Sequence, residues 1–107
     1  MDTYYINGRY VDEDKCVLSV KDIIVLRGFG VFDLLITYNK RPFYLNEHVQ
    51  RLETSAQKIV LKLKHSHDEI CAIVEETIRR NNHPNESNIR IVHTGGISSD
   101  EIGGAHV

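Results

Sequence analysis

The run Val31-Phe32-Asp33-Leu34-Leu35-Ile36-Thr37-Tyr38, continued by Asn39-Lys40 and Arg41-Pro42-Phe43-Tyr44-Leu45, decides how this chain folds. Its opening segment is dense in β-branched, aromatic and aliphatic residues, the composition of a strand. Phe32, Leu34, Ile36 and Tyr38 fall on one face, while Val31, Leu35 and Thr37 fall on the other, where only Asp33 interrupts. Both faces are therefore expected to be largely covered. Asn39-Lys40 makes a tight turn into a second strand, in which Pro42, lacking an N–H donor, suits an edge or a strand end.

Working outward, Val49, Leu52, Ala56, Ile59, Val60 and Leu63 recur at three- and four-residue spacing behind Asn46, a good N-cap. This predicts a helix from roughly Glu47 to Leu61. Ser66-His67-Asp68-Glu69 has the pattern of a capping box, opening a second helix with Ile70, Ile73, Val74 and Ile78 on its apolar face, stopping near Asn81-Asn82-His83-Pro84. Asn88 to Thr94 alternates as a last strand, with Ile89, Ile91 and His93 opposed to Arg90, Val92 and Thr94, and ends in Gly95-Gly96. Ile97 to Val107 has no periodicity and is read as a loop. Upstream, Tyr4-Tyr5-Ile6 and Arg9-Tyr10-Val11 flank Asn7-Gly8, the dipeptide of a type I′ hairpin turn. Val17 to Leu26 is apolar but ambiguous, and is assigned mostly to loop. The sum is an α+β fold, a small antiparallel sheet of hairpins packed against two helices, in one domain over residues 1–107.

A chain of 107 residues with 41% hydrophobic residues can build one modest core. The 13 basic and 15 acidic residues, formally −2 in sum, are scattered, so no basic stripe points to nucleic acid or an anionic membrane. Cys16 and Cys71 form no C-x-x-C pair and read as two buried, reduced thiols. The polar start Met1-Asp2-Thr3-Tyr4-Tyr5 is unlike a secretory signal, and no apolar run reaches membrane-spanning length. A cytoplasmic location is the expectation.

Arg51 stands out among the polar residues, because a guanidinium is a planar fork of donors suited to a phosphate dianion. The competing reading pairs it with Glu47 one turn earlier on the same helix, for ~0.3–0.5 kcal/mol. Asp33 reads as a polar contact in a site or as a buried acid paired with a basic neighbour, and the structural role is preferred. His48, near a helix start, receives no catalytic role. Gly28 and Gly30 more plausibly shape a turn than cradle a phosphate. His65 and His67 lack a third ligand at a matching spacing, so no metal site is expected and solvent-exposed loop histidines are the default.

Gly28-Phe29-Gly30-Val31-Phe32-Asp33, His48-Val49-Gln50-Arg51-Leu52 and Ser55-Ala56-Gln57-Lys58-Ile59, in that order, resemble the N-terminal domain of the class IV aminotransferases. These are pyridoxal 5′-phosphate (PLP) enzymes of fold type IV, including branched-chain and D-amino acid aminotransferases and aminodeoxychorismate lyase. The resemblance implies that Arg51 contacts the cofactor phosphate and that Phe32 lines the substrate pocket, against the alternative that Phe32 is simply core. Arg90 in Asn88-Ile89-Arg90 resembles the Tyr-Ile-Arg that helps hold substrate carboxylates in branched-chain enzymes, with Asn88 in place of the Tyr. A packed stem with a solvated head is the alternative for Arg90. The D-amino acid enzymes place their recognition Arg where this chain has Gly95.

PLP chemistry also needs a Schiff-base lysine, which in fold type IV belongs to a C-terminal domain. Lys15, Lys21, Lys40, Lys58, Lys62 and Lys64 match no such position, and no catalytic residue is assigned. The expectation is the N-terminal part of a PLP-dependent aminotransferase acting between a branched-chain or similar apolar amino acid and 2-oxoglutarate, as a homodimer, with the C-terminal catalytic domain absent and this chain alone inactive. The alternatives are an aminodeoxychorismate lyase-like enzyme, or a noncatalytic dimerisation module left by truncation.

Overall fold

In the computed structural model, residues 2–98 and 105–106 are described. The chain opens with strands β1 (Thr3–Ile6) and β2 (Arg9–Asp12). Asn7 and Gly8 both take positive φ, 48° and 87°, so their turn has the twist that joins antiparallel strands without splaying them. Tyr5 and Tyr10 meet edge to face across the hairpin, with centroids 5.2 Å apart. A single 3₁₀ turn over Glu13–Lys15 follows.

The segment read as mostly loop contains a short helix, α1 (Ile23–Arg27). Its ends carry the reason. Asp22 caps it, accepting from Ile24 N–H at 2.9 Å, and Gly28 closes it in the left-handed region at φ 66°.

β3 (Gly30–Tyr38) pairs antiparallel with β4 (Arg41–Pro42) on one side and with β5 (Ser87–Thr94) on the other, giving the order β4-β3-β5. The second hairpin strand is thus shorter than the expected Arg41–Leu45 run. Two helices lie on one face of this sheet: α2 (Leu45–Lys58) and α3 (His67–Arg80). The core is Val31 and Leu35 from β3, Val49, Leu52 and Ala56 from α2, Leu61 from the connection, and Ile70, Val74 and Ile78 from α3. Full burial of each large member contributes about 1.5–3 kcal/mol.

The expectation that both faces of β3 are covered is corrected. Val31, Asp33, Leu35 and Thr37 point into the helices and are buried, whereas Phe32, Leu34, Ile36 and Tyr38 stay exposed on the far side. The two long helices, α2 and α3, lie on a single side, so the alternation divides the strand into an inner and an outer face, α1 meeting the outer one only at its end, where Ile24 stands against Gly30.

The boundaries of α2 also differ from expectation. Tyr44, at φ 55°, is its N-cap, and Asn46 lies inside the first turn, its Oδ1 3.1 Å from His67 Nε2 on α3. At the other end Leu61 N–H donates to Ala56 C=O and Val60 N–H to Gln57 C=O, the paired bonds of a Schellman motif, with Val60 in the left-handed region at φ 57°. Hence the helix stops at Lys58, three residues short of Leu61. α3 has the predicted capping box: Ser66 Oγ accepts from Glu69 N–H, and Glu69 Oε1 accepts from Ser66 N–H at 2.8 Å.

The β1–β2 hairpin is fastened to the end of α3. Asn81 Oδ1 accepts from Thr3 N–H and its Nδ2 donates to Thr3 C=O, both at 2.8 Å, so one side chain imitates a strand edge. Arg80 stacks over the Tyr10 ring at 4.0 Å. Beyond β5, Gly95 is buried beneath α1 and the loop that follows it: a Cβ there would stand 2.5 Å from a ring carbon of Phe29 and 2.8 Å from Ile23. Part of the tail read as loop is paired, β6 (Ile97–Ser98) with β7 (Ala105–His106). The remainder of that loop reading lies outside the described residues.

Cys16 and Cys71 are half-buried rather than buried, both as free thiols. His65 and His67 are not solvent-exposed loop residues: His65 lies edge-on to Tyr5 and His67 opens α3 with its Nδ1 3.0 Å from Glu53. Among the described residues no helix is long and apolar enough to cross a membrane.

Candidate cofactor-contact site

β3 and the first turns of α2 meet at Asp33. The carboxylate sits on the inner face, its side chain 3% exposed. A carboxylate can be kept ionised there only if its lone pairs are filled. Arg51 does most of this: Nε donates to Oδ2 and Nη2 to Oδ1, each at 2.8 Å, a side-on bidentate pair. His48, one turn earlier on α2, places Nδ1 2.7 Å from Oδ1. An ionised carboxylate only accepts, so Nδ1 carries the proton. The 3.4 Å approach of Arg51 Nη2 to His48 Nδ1 is then a contact between two donors that share an acceptor, not a hydrogen bond.

The Arg51 bonds hold the Asp33 carboxyl well below its usual range, at about 2, with His48 adding to the effect and burial opposing it. In return Asp33 pushes the Arg51 guanidinium further up. The pairing of Arg51 with Glu47, one of the two readings of the sequence, is not what forms. The buried-acid reading of Asp33 describes what the structure shows, with a partner 18 residues away.

Arg51 is fixed along one edge only. Its side chain is 66% exposed, and the Nη1 end projects away from Asp33. This donor set fits an anion such as a phosphate monoester. It supplies no amine, because every lysine of the chain is exposed on other parts of the surface and none hydrogen-bonds within the cluster.

Phe32 and Arg90 lie together, on the other side of the sheet. Arg90 is directly opposite Leu34 in the β3–β5 register, and Phe32 is opposite Val92, so Phe32 is a diagonal neighbour of Arg90 on the outer face. Phe32 is 66% exposed, which removes the reading of it as core. Arg90 is exposed within a surface formed by Phe32, Leu34, Ile36 and Val92. A shallow groove of about 440 Å³ is lined by Leu34, Leu35, Ile36, Phe43, Tyr44, His48 and Glu86, and by neither Phe32 nor Arg90. His48 therefore bridges the groove and the Asp33 carboxylate, whereas Arg51 stands outside the groove wall. The resemblance of the His48–Leu52 stretch brought Arg51 forward, where spacing alone favoured a pair with Glu47; Asp33 as its anchor and His48 as a second donor carried no local signal, since the pairing joins a strand to a helix.

Residues 30–106 match a family model described as Amino-transferase class IV. A putative branched-chain-amino-acid aminotransferase of Methanocaldococcus jannaschii is 38% identical over 93 residues, 87% of this chain and 32% of that protein. Aminodeoxychorismate lyase of Bacillus subtilis is 33% identical over 95 residues, 88% of this chain and 32% of that protein. A D-alanine aminotransferase of Listeria monocytogenes is 31% identical over 94 residues, again 88% and 32%. The crystal structure of a branched-chain aminotransferase from the thermophilic archaeon Thermoproteus uzoniensis with norvaline superposes with a TM-score of 0.80 at 32% identity, over 85% of this chain and 32% of that one. The chain thus spans about a third of the length of the relatives it matches.

Proposed function

The chain belongs to the class IV amino-transferase family, and from that premise we propose that it is the N-terminal part of a PLP-dependent aminotransferase acting on a branched-chain or similar apolar amino acid, with 2-oxoglutarate as amino acceptor. Bound in such an enzyme, the cofactor ring supplies the electron sink for the reaction. This chain's share is binding and orientation.

Arg51 is read as the contact to the cofactor phosphate, supported by its Nη1 end projecting from the Asp33 pair. Phe32 and Arg90 are read as substrate contacts. The observation that carries the reading is Arg90 set among Phe32, Leu34, Ile36 and Val92 on an uncovered sheet face. A cation surrounded by apolar side chains complements a molecule with a carboxylate at one end and a hydrocarbon group at the other. Fixing that carboxylate orients the reacting carbon before any proton moves.

The D-specific reading asks for an arginine where Gly95 stands, and Phe29 and Ile23 already occupy the space of a single Cβ there. That packing favours the branched-chain reading. A homodimer is the proposed assembly, supported by the exposed apolar sheet face, and the cytoplasm the proposed compartment, in keeping with the two free thiols.

The test is steady-state kinetics on the full-length protein with L-leucine, L-valine, D-alanine and 2-oxoglutarate. Transfer from the L-apolar donors is expected, and Arg90→Ala should raise the donor KM roughly tenfold or more, the scale of a lost charge-assisted contact. Transfer from D-alanine alone, or elimination without transfer, overturns the proposal.

A further inference from the structure

We infer that Asp33 is a positioning residue for Arg51, gripping the Nε–Nη2 edge of the guanidinium so that the Nη1 end is presented to a phosphate monoester. The inference rests on the reading of Arg51 as the phosphate contact. It deepens that reading by assigning a role to a residue on another element.

The geometry supplies the argument. An arginine with two-thirds of its side chain in solvent has many rotamers to lose when it closes on an anion. Two charge-assisted bonds of 2.8 Å remove that freedom in advance. The grip is itself rigid. Asp33 projects from the inner face of β3 with a 3% exposed side chain, and its Oδ1 is also held by His48 Nδ1 at 2.7 Å. His48 and Arg51 are one turn apart on α2, so helix and strand fix the carboxylate from two directions. A purely structural ion pair at a buried site would do better with both partners enclosed or with apolar residues in their place. Here one partner is enclosed and the other is turned outward.

Two effects of Asp33 on a bound anion have opposite signs, and this makes the inference testable. Orientation strengthens binding, whereas the negative charge beside the guanidinium weakens it. Asp33→Asn keeps the volume, removes the charge and replaces one acceptor oxygen with an NH₂ that faces the Arg51 donors. The measurement is the dissociation constant of pyridoxal 5′-phosphate and of pyridoxal for the full-length protein, with thermal melting as the check on folding. Their ratio isolates the phosphate contribution, which a general loss of structure would leave unchanged.

Orientation predicts that Asp33→Asn lowers the preference for the phosphorylated form roughly three- to tenfold. An unchanged or increased preference overturns the inference and leaves Asp33 as a screening charge. Arg51→Ala separates the two levels. Should it leave the ratio intact, the phosphate reading of Arg51 is wrong; should it collapse the ratio while Asp33→Asn does not, only the positioning role is wrong. If Asp33→Asn does not fold, wild-type protein labelled with ¹⁵N decides the matter. A slowly exchanging Arg51 Nε–H that shifts with pyridoxal 5′-phosphate and not with pyridoxal supports the inference, and a rapidly exchanging one in the free protein overturns it.

Discussion

Acid acts on the Asp33–Arg51 pair from one side only, because the carboxylate is enclosed and the guanidinium keeps its charge at every accessible pH. The folded carboxyl titrates at about 2, against 3.8 when unperturbed. Between those values the unfolded chain binds more protons than the folded one, so stability rises with pH across the interval. The pair's contribution is complete about one pH unit above the unperturbed value and fades as pH falls towards 2. Glu76, also held at about 2 by Arg79 and Arg80, titrates in the same window from a solvated position. Urea melts between pH 2 and 6 should therefore show a flatter acid limb in Asp33→Asn than in wild type, and identical limbs would contradict the assignment. Part of this was legible in the sequence. Asp33 is the polar interruption of an apolar strand face, which marks it as a buried acid. Its partner was not legible, since Glu47 is the nearby candidate for Arg51 and the real pairing crosses between elements.

At the level of elements, periodicity located both long helices, and their ends show where local signals compete. Ser66 and Glu69 form the box that their spacing announces. Asn46 has the chemistry of a cap but lies in the first turn of α2, where its amide faces His67 on α3. Tertiary contact outweighed capping propensity there. The far end of α2 is instructive in a different way. Val60 occupies the position of the Schellman motif that glycine prefers, with φ 57° and a side chain 89% exposed. A β-branched residue is strained in that region and this one packs against little. Val60→Gly should raise stability by about 1 kcal/mol, observed as a higher melting temperature; a decrease would show that the valine side chain contributes packing. α1 was missed because a helix of five residues is too short for periodicity to register, although Asp22 and Gly28 bracket it.

For the molecule as a whole, the placement of both long helices on one side leaves Phe32, Leu34, Ile36, Tyr38 and Val92 exposed on the outer face of the sheet. The alternation of these residues was plain in the sequence. Which face the chain itself would cover was not, because an apolar strand face looks the same whether its cover comes from the same polypeptide or from elsewhere. The isolated chain should associate in a concentration-dependent way, measurable by sedimentation. Leu34→Glu with Ile36→Lys should return it to a monomer while changing stability by only about 0.5 kcal/mol, as expected of exposed positions. A wild-type chain that sediments as a monomer throughout would contradict this.

The bond between Asn81 and Thr3 carries a temporal consequence. The two residues are separated by 78 positions, so at roughly 5–20 residues per second the ribosome releases the N-terminal hairpin several seconds before its anchor exists. A two-stranded ribbon is barely stable in water alone. The hairpin therefore stays unsecured until Asn81 has been made, and nascent chains halted before Asn81 should present it to proteases.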